Sequence, residues 1–197
     1  MVILGLGNPG RKYYNNRHNI GARVIEALVK RATSIKQKWR CRYFLARKVE
    51  ISSKLVIVAV PRTFMNESGK AALAICTKFN TKPDELFLIY DDINLELGIL
   101  RIKRKGSSGG HKGVQSIIDF LGTEEIPRLK IGVGMPEPEQ DLVGYVLSDF
   151  SSEEKKIAEE IINEGATSIE MLLSQGIEKT MALVNRKGKQ KNDKNPN

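Results

Sequence analysis

Cysteine, histidine and tryptophan are scarce in this chain: two Cys, two His and one Trp among 197 residues. Cys41 and Cys76 lie far apart, with neither a disulfide framework's spacings nor a zinc site's paired spacing. Two His residues without an H-E-x-x-H segment do not supply the usual zinc ligand set, so no metal is expected. No apolar run is long enough to cross a bilayer. The start, MVILGLG, lacks a basic n-region, so no signal peptide is expected. A reduced, cytoplasmic setting fits this cysteine usage. The six Phe and five Tyr do not interleave regularly with the basic residues, so no stacking platform of the single-strand-binding kind is offered.

What is present is an ordinary globular composition, 41% hydrophobic and 28% charged, with a formal charge of +9 and a pI near 9.5. The length suits one domain able to bury a core without disulfides or metals. The positive balance points to a polyanionic partner, nucleic acid or an anionic surface. Residues 186–197 are polar and basic and are expected to form a disordered tail. That leaves a single folded domain over residues 1–185. There is no internal repeat.

Apolar periodicity places strands at Val2 to Leu6, Leu55 to Val60, Leu86 to Tyr90, Ile99 to Lys103 and Leu129 to Val133. A partly exposed strand or strand pair is expected within Trp39 to Ile51. Helices are expected over His18 to Ala32, Glu67 to Phe79, Val114 to Leu121 and Ile177 to Val184. A longer helix, running to about Leu173, opens on the capping box Ser151 and Glu154. Residues 135–150 read as a lid or crossing segment. Strands alternating with helices define an α/β fold, a single domain with a mixed, mostly parallel twisted sheet flanked by helices.

The unusual residues sit in four loops, three of which follow predicted buried strands. Ligands in open α/β sheets bind outside the carboxyl ends of the strands. If the first three strands are parallel neighbours, Asn8, Tyr13, His18, Asn66 and Asp91 reach one rim. An imidazole oriented by a carboxylate can take a proton from water near neutral pH. Asn amides can hold an amide or a developing oxyanion. This set suits water attack on an acyl ester. Blander roles stay open: His18 as a helix-start or surface residue, Asp91 and Asp92 as a turn, Asn66 as an N-cap.

Two familiar patterns lack their context. Gly5 to Gly10 fits G-x-G-x-x-G, but Pro9 and a long polar loop delay the helix to about His18, which argues against a dinucleotide site. Gly106 to Gly110 fits G-x-S-x-G, but the only later His, His111, has no acid between it and Ser108. A serine esterase is therefore disfavoured. The same glycines, preceded by Arg101, Lys103, Arg104 and Lys105 and followed by Arg128 and Lys130, suit a phosphate backbone. A solvated edge strand is the alternative.

These motifs, in this order, resemble the bacterial-type peptidyl-tRNA hydrolases. They are Gly5-Leu6-Gly7-Asn8-Pro9-Gly10 through Arg17-His18-Asn19-Ile20-Gly21; Pro61 to Gly69; Asp91-Asp92 with Gly98; Gly106 to Gly113; and Arg128 to Gly134. The resemblance implies a monomer with a cleft at the strand ends that hydrolyses peptidyl-tRNA without cofactor, metal or membrane. It implies His18 as general base oriented by Asp91, and Asn8 as the discriminator of N-blocked groups. Tyr13, Phe64 and Asn66 would contact substrate near the ester. His111 and Lys112, in the Gly-rich loop, are expected on the substrate, and Lys103, Arg128 and Lys130 on the tRNA backbone. Two positions depart from the pattern: Lys112 replaces a usual Asn, and Asn16 a common Thr. A non-catalytic RNA-binding protein on the same fold is the alternative function.

Overall fold

A computed structural model describes residues 1–192. Chain order is β1 (Val2–Gly5), α1 (Ile20–Arg31), β2 (Ser34–Arg40), β3 (Phe44–Ile51), β4 (Lys54–Pro61), α2 (Ser68–Phe79), β5 (Leu86–Asp92), β6 (Leu100–Lys103), α3 (Lys112–Leu121), β7 (Arg128–Gly132), α4 (Leu142–Val146), α5 (Ser152–Gln175) and α6 (Ile177–Asn192). The strands form one sheet in the order β2-β3-β4-β1-β5-β7-β6. β1 is parallel to both β4 and β5, and β5 is parallel to β7. The outer strands β2, β3 and β6 pair antiparallel. The first three buried strands are therefore parallel neighbours, and their following loops share a rim.

Alternation along the strands builds a core on each face of the sheet. Ile3, Phe87 and Ile89 face α1 and α5, meeting Val24, Leu28, Ile162 and Ile169. Val2, Leu4, Leu86 and Leu88 face the opposite way, toward Ala72 and Ile75 of α2 and Val114 and Ile117 of α3. The Ser151–Glu154 capping box forms in both directions, and α5 continues beyond Leu173 to Gln175.

Two elements were harder to foresee. β2 starts at Ser34 because it is an edge strand whose side chains are mostly solvated, which leaves no apolar alternation to read. It joins β3 as the hairpin partner anticipated around Trp39 to Ile51. The expected helix from Ile177 to Val184 runs on to Asn192, into the stretch read as a tail. Within it, Asn185 bonds edge strand β6 as another strand would. Its Oδ1 accepts from Ile102 N at 2.8 Å and its Nδ2 donates to Ile102 O at 3.0 Å. Residues 193–197 of the expected tail lie outside the described residues. No helix among the described residues is long and apolar enough to cross a membrane.

The glycines of the first motif serve packing. A Cβ on Gly5 would lie 2.3 Å from the Gly21 carbonyl oxygen, and one on Gly21 would lie 2.2 Å from the Ile89 carbonyl oxygen. Only glycine lets α1 settle so closely on β1 and β5, and this approach seats the turn that precedes α1. Gly21→Ala should therefore destabilise the fold by about 3 kcal/mol through backbone displacement. Urea unfolding would check this; an unchanged midpoint would show that the helix can retreat freely.

Candidate active site

The carboxyl ends of β1, β4 and β5 open into a cleft of about 370 Å³, within the range of small-ligand sites. Asn8, Tyr13, His18, Phe64, Asn66, Asp91, His111 and Lys112 all line it. At its centre Asp91, 2% exposed at the end of β5, accepts hydrogen bonds from two imidazoles. His18 Nδ1 lies 2.9 and 2.8 Å from the two carboxylate oxygens, and His111 Nε2 lies 3.1 Å from Oδ1.

The partners determine the tautomers. His111 Nδ1 accepts from the backbone N–H groups of Gly113 and Val114, capping α3, so its proton sits on Nε2 and is donated to Asp91. His18 donates from Nδ1, which leaves the lone pair on Nε2, a nitrogen without a partner among the described residues. Burial alone would push the Asp91 carboxyl up. The two imidazole N–H groups aimed at the carboxylate override it and hold the group well below the usual carboxylate range.

His18 sits in a single 3-10 turn, Arg17–Asn19, rather than in the helix itself. Its neighbours hold it. Arg17 is buried between the rings of Tyr145 and Phe150, at 4.4 and 4.8 Å from their centroids. It bonds both Glu154 carboxylate oxygens and the Asp149 carbonyl. This ties the segment read as a lid to the turn carrying His18, and Leu142, Val143, Val146 and Leu147 form an apolar wall of the cleft. Asn19 accepts from Asn8 N and donates to Asn8 O, both at 2.9 Å. Met65 N donates to Asn8 Oδ1 at 2.8 Å, so the Asn8 amide N–H groups remain for a ligand. The Tyr13 and Phe64 rings meet edge to face at 6.3 Å, and Phe64 is 53% exposed. Asn66 is not an N-cap: the first turn of α2 is preceded by Glu67, and no side chain caps it. The roles of Arg17 and Asn19 were not anticipated. Only their places on either side of His18 hinted at them.

Several expected contacts require correction. Arg128 is fully buried. Its Nε, Nη1 and Nη2 donate to the carbonyls of Ile126, Ser107 and Glu124 at 2.9, 3.0 and 3.1 Å. It staples the glycine loop and cannot reach a phosphate. Lys130 is committed to Asp92 at 2.7 Å. Lys103 is exposed, pairs in register with Arg128 and lies down the sheet from Asp91, outside the cleft; this position leaves its expected place on the tRNA backbone open. His111 lines the cleft with both ring nitrogens occupied, Nε2 on Asp91 and Nδ1 on the start of α3. Ser108 Oγ donates to Gln115 Oε1 at 2.7 Å, away from either imidazole, which removes the basis for a serine nucleophile. His18, Asp91 and His111 place ligand-type atoms within 4.8 Å of one another. Both rings, however, already direct N–H bonds at the same carboxylate, and a cation would have to displace them.

A buried carboxylate orienting an imidazole at the strand ends of an α/β sheet is an arrangement that suits the class of hydrolases. Comparison with known proteins narrows this: the chain belongs to the peptidyl-tRNA hydrolase family, whose model matches residues 2–194. It is 45% identical over 185 residues to the peptidyl-tRNA hydrolase of Sulfurihydrogenibium sp. (strain YO3AOP1), covering 94% of this chain and 97% of that one. It is 41% identical over 185 residues to that of Aquifex aeolicus, covering 94% and 96%. The crystal structure of peptidyl-tRNA hydrolase from Acinetobacter baumannii superposes with a TM-score of 0.86 at 26% identity, covering 93% of each chain.

Two measurements check this geometry. Arg128→Met would leave three carbonyls without their donor and should cost about 3–5 kcal/mol in denaturant unfolding. A stable Arg128→Met protein with weaker, less salt-dependent RNA binding would instead return Arg128 to the RNA surface. The folded-state pKa of Asp91 lies below its unfolded value near 4. Its stabilisation is therefore complete above that value and is lost as pH falls through the depressed folded pKa. The stability gap between wild type and Asp91→Asn should persist down to about pH 4 and close only in stronger acid. A gap closing near neutrality would place the titrating charge elsewhere.

Proposed function

We propose that this cleft hydrolyses the ester joining a peptide to tRNA by direct attack of water, with His18 as the general base. The observation that carries the mechanism is the Asp91–His18 pair. The carboxylate fixes the Nδ1–H tautomer and points the basic Nε2 into a cleft where no hydroxyl or thiol nucleophile bonds it.

His18 Nε2 takes one water proton as the water oxygen bonds to the ester carbonyl carbon. Asp91 stabilises the imidazolium that forms. The free Asn8 amide N–H groups and the Asn66 side chain are the neutral donors available to the acyl group and its developing oxyanion. As the tetrahedral centre collapses, the carbon–oxygen bond to the ribose breaks. His18 returns its proton to the departing ribose oxygen, giving free tRNA and the peptide acid. Asp91 stays ionised throughout, because the N–H bonds from His18 and His111 outweigh the effect of its burial. Tyr13, Phe64 and the α4 wall form an apolar surface for the acyl chain. The chain acts as a cytoplasmic monomer on peptidyl-tRNA, returning tRNA to translation, without a cofactor.

The test is cleavage of an N-acetylaminoacyl-tRNA beside the same tRNA carrying a free α-amine. Rapid release from the blocked ester alone is expected, and His18→Ala should lower kcat by about a thousandfold while leaving tRNA binding in place. Full activity in a pure His18→Ala protein would remove His18 as the base. Tight, salt-dependent binding with no cleavage by wild type would replace catalysis with RNA binding alone.

A further inference from the structure

We infer that Lys112 is a phosphate-binding residue of the cleft, holding the backbone of the terminal nucleotides beside the ester. The inference rests on the cleft's being the ester site. It begins from charge.

Among the residues that line the cleft Lys112 is the only Lys or Arg. It is exposed at the first position of α3 and forms no ion pair or hydrogen bond among the described residues. Several cations elsewhere have acidic partners, as Lys70 has Glu67, Lys105 has Glu125, Arg104 has Glu178 and Lys130 has Asp92. The cleft's own acids cannot answer Lys112. Asp91 is occupied by two imidazoles and Asp92 by Lys130. Lys112 is therefore the one cation of the cleft lining, it has no acidic partner among the described residues, and a low-dielectric wall strengthens its field.

The neighbouring backbone adds donors of the same sense. Gly109 and Gly110 have φ of 59° and 85°, and a Cβ on either would meet open space. They are therefore required for conformation and not for packing. Their N–H groups have no acceptor among the described residues, and both residues line the cleft with Lys112. Arg128 holds this loop in place by bonding the Ser107 carbonyl. Backbone N–H groups without acceptors among the described residues, beside an exposed ammonium, suit a tetrahedral anion such as a phosphodiester. Within the substrate, the charged group that must lie near the ester is the phosphate of the terminal nucleotide.

The experiment compares two small esters: N-acetylaminoacyl-adenosine, which has no phosphate, and N-acetylaminoacyl-cytidylyl-adenosine, which has one. Wild type should favour the phosphate-bearing ester in kcat/KM. Lys112→Met should lower that preference about tenfold, mainly through KM, and Lys112→Arg should restore most of it. On whole tRNA the slope of log affinity against log salt should fall by about one in Lys112→Met. An equal loss on both esters would place Lys112 on the acyl group and overturn the inference, as would no loss on either. If wild type cleaves neither ester, the ester-site reading itself fails. The binding of cytidylyl-cytidylyl-adenosine against adenosine then decides on Lys112 alone: a preference that Lys112→Met leaves intact would refute it.

Discussion

An ionised carboxylate is disfavoured inside a protein unless hydrogen-bond donors meet it there. Asp91 is almost entirely buried and meets that condition through two imidazoles from different parts of the chain. Much of the site follows from this arrangement. His18 is fixed in one tautomer because its Nδ1 must donate to Asp91. His111 is fixed in the complementary tautomer because its Nδ1 caps α3. The helix start, the sheet end and the turn before α1 are thereby joined through a single side chain. The proton-accepting nitrogen of His18 is defined by the one that is already engaged.

Around this centre, Arg17, Arg128 and Asn19 hold the walls from outside the cleft lining. Arg17 locks the turn carrying His18 to the segment from Tyr145 to Glu154 through two aromatic faces and a paired carboxylate. Arg128 does the same for the glycine loop, using backbone carbonyls. Asn19 and Met65 set the orientation of Asn8. Side chains held by such secondary bonds are preorganised, and a site of this kind loses little reorganisation energy as charge develops on the substrate.

Charge is distributed unevenly with respect to this design. The formal excess of +9 suggests a broad phosphate-binding face, yet two of the cations read that way are spoken for inside the fold. Arg128 and Lys130 stand on β7, a strand flanked on both sides by neighbours, so their side chains turn to internal acceptors. Lys112 begins a helix at the mouth of the cleft and keeps its charge exposed. The formal charge of a segment says what it can attract. Its position in the sheet decides whether the charge is available.

The sequence by itself determined the α/β class, the buried strands and the presence of His18 and Asp91 at loop positions, because apolar periodicity and strand-end polarity are local properties. It also determined the family, since several separate motifs recur in one order. It could not show that β2 begins at Ser34 or that α6 continues to Asn192, because a solvated edge strand and a basic helix carry weak apolar patterns. Only the tertiary structure decided which residues meet. His18 and His111 converge on Asp91 because β1 and β5 are adjacent while β6, β7 and α3 fold back beside them. The same register sends Arg128 inward and leaves Lys112 outside. Hydrogen-bond partners brought together over long sequence separations leave no periodic trace, so burial, tautomer and pairing had to await the fold.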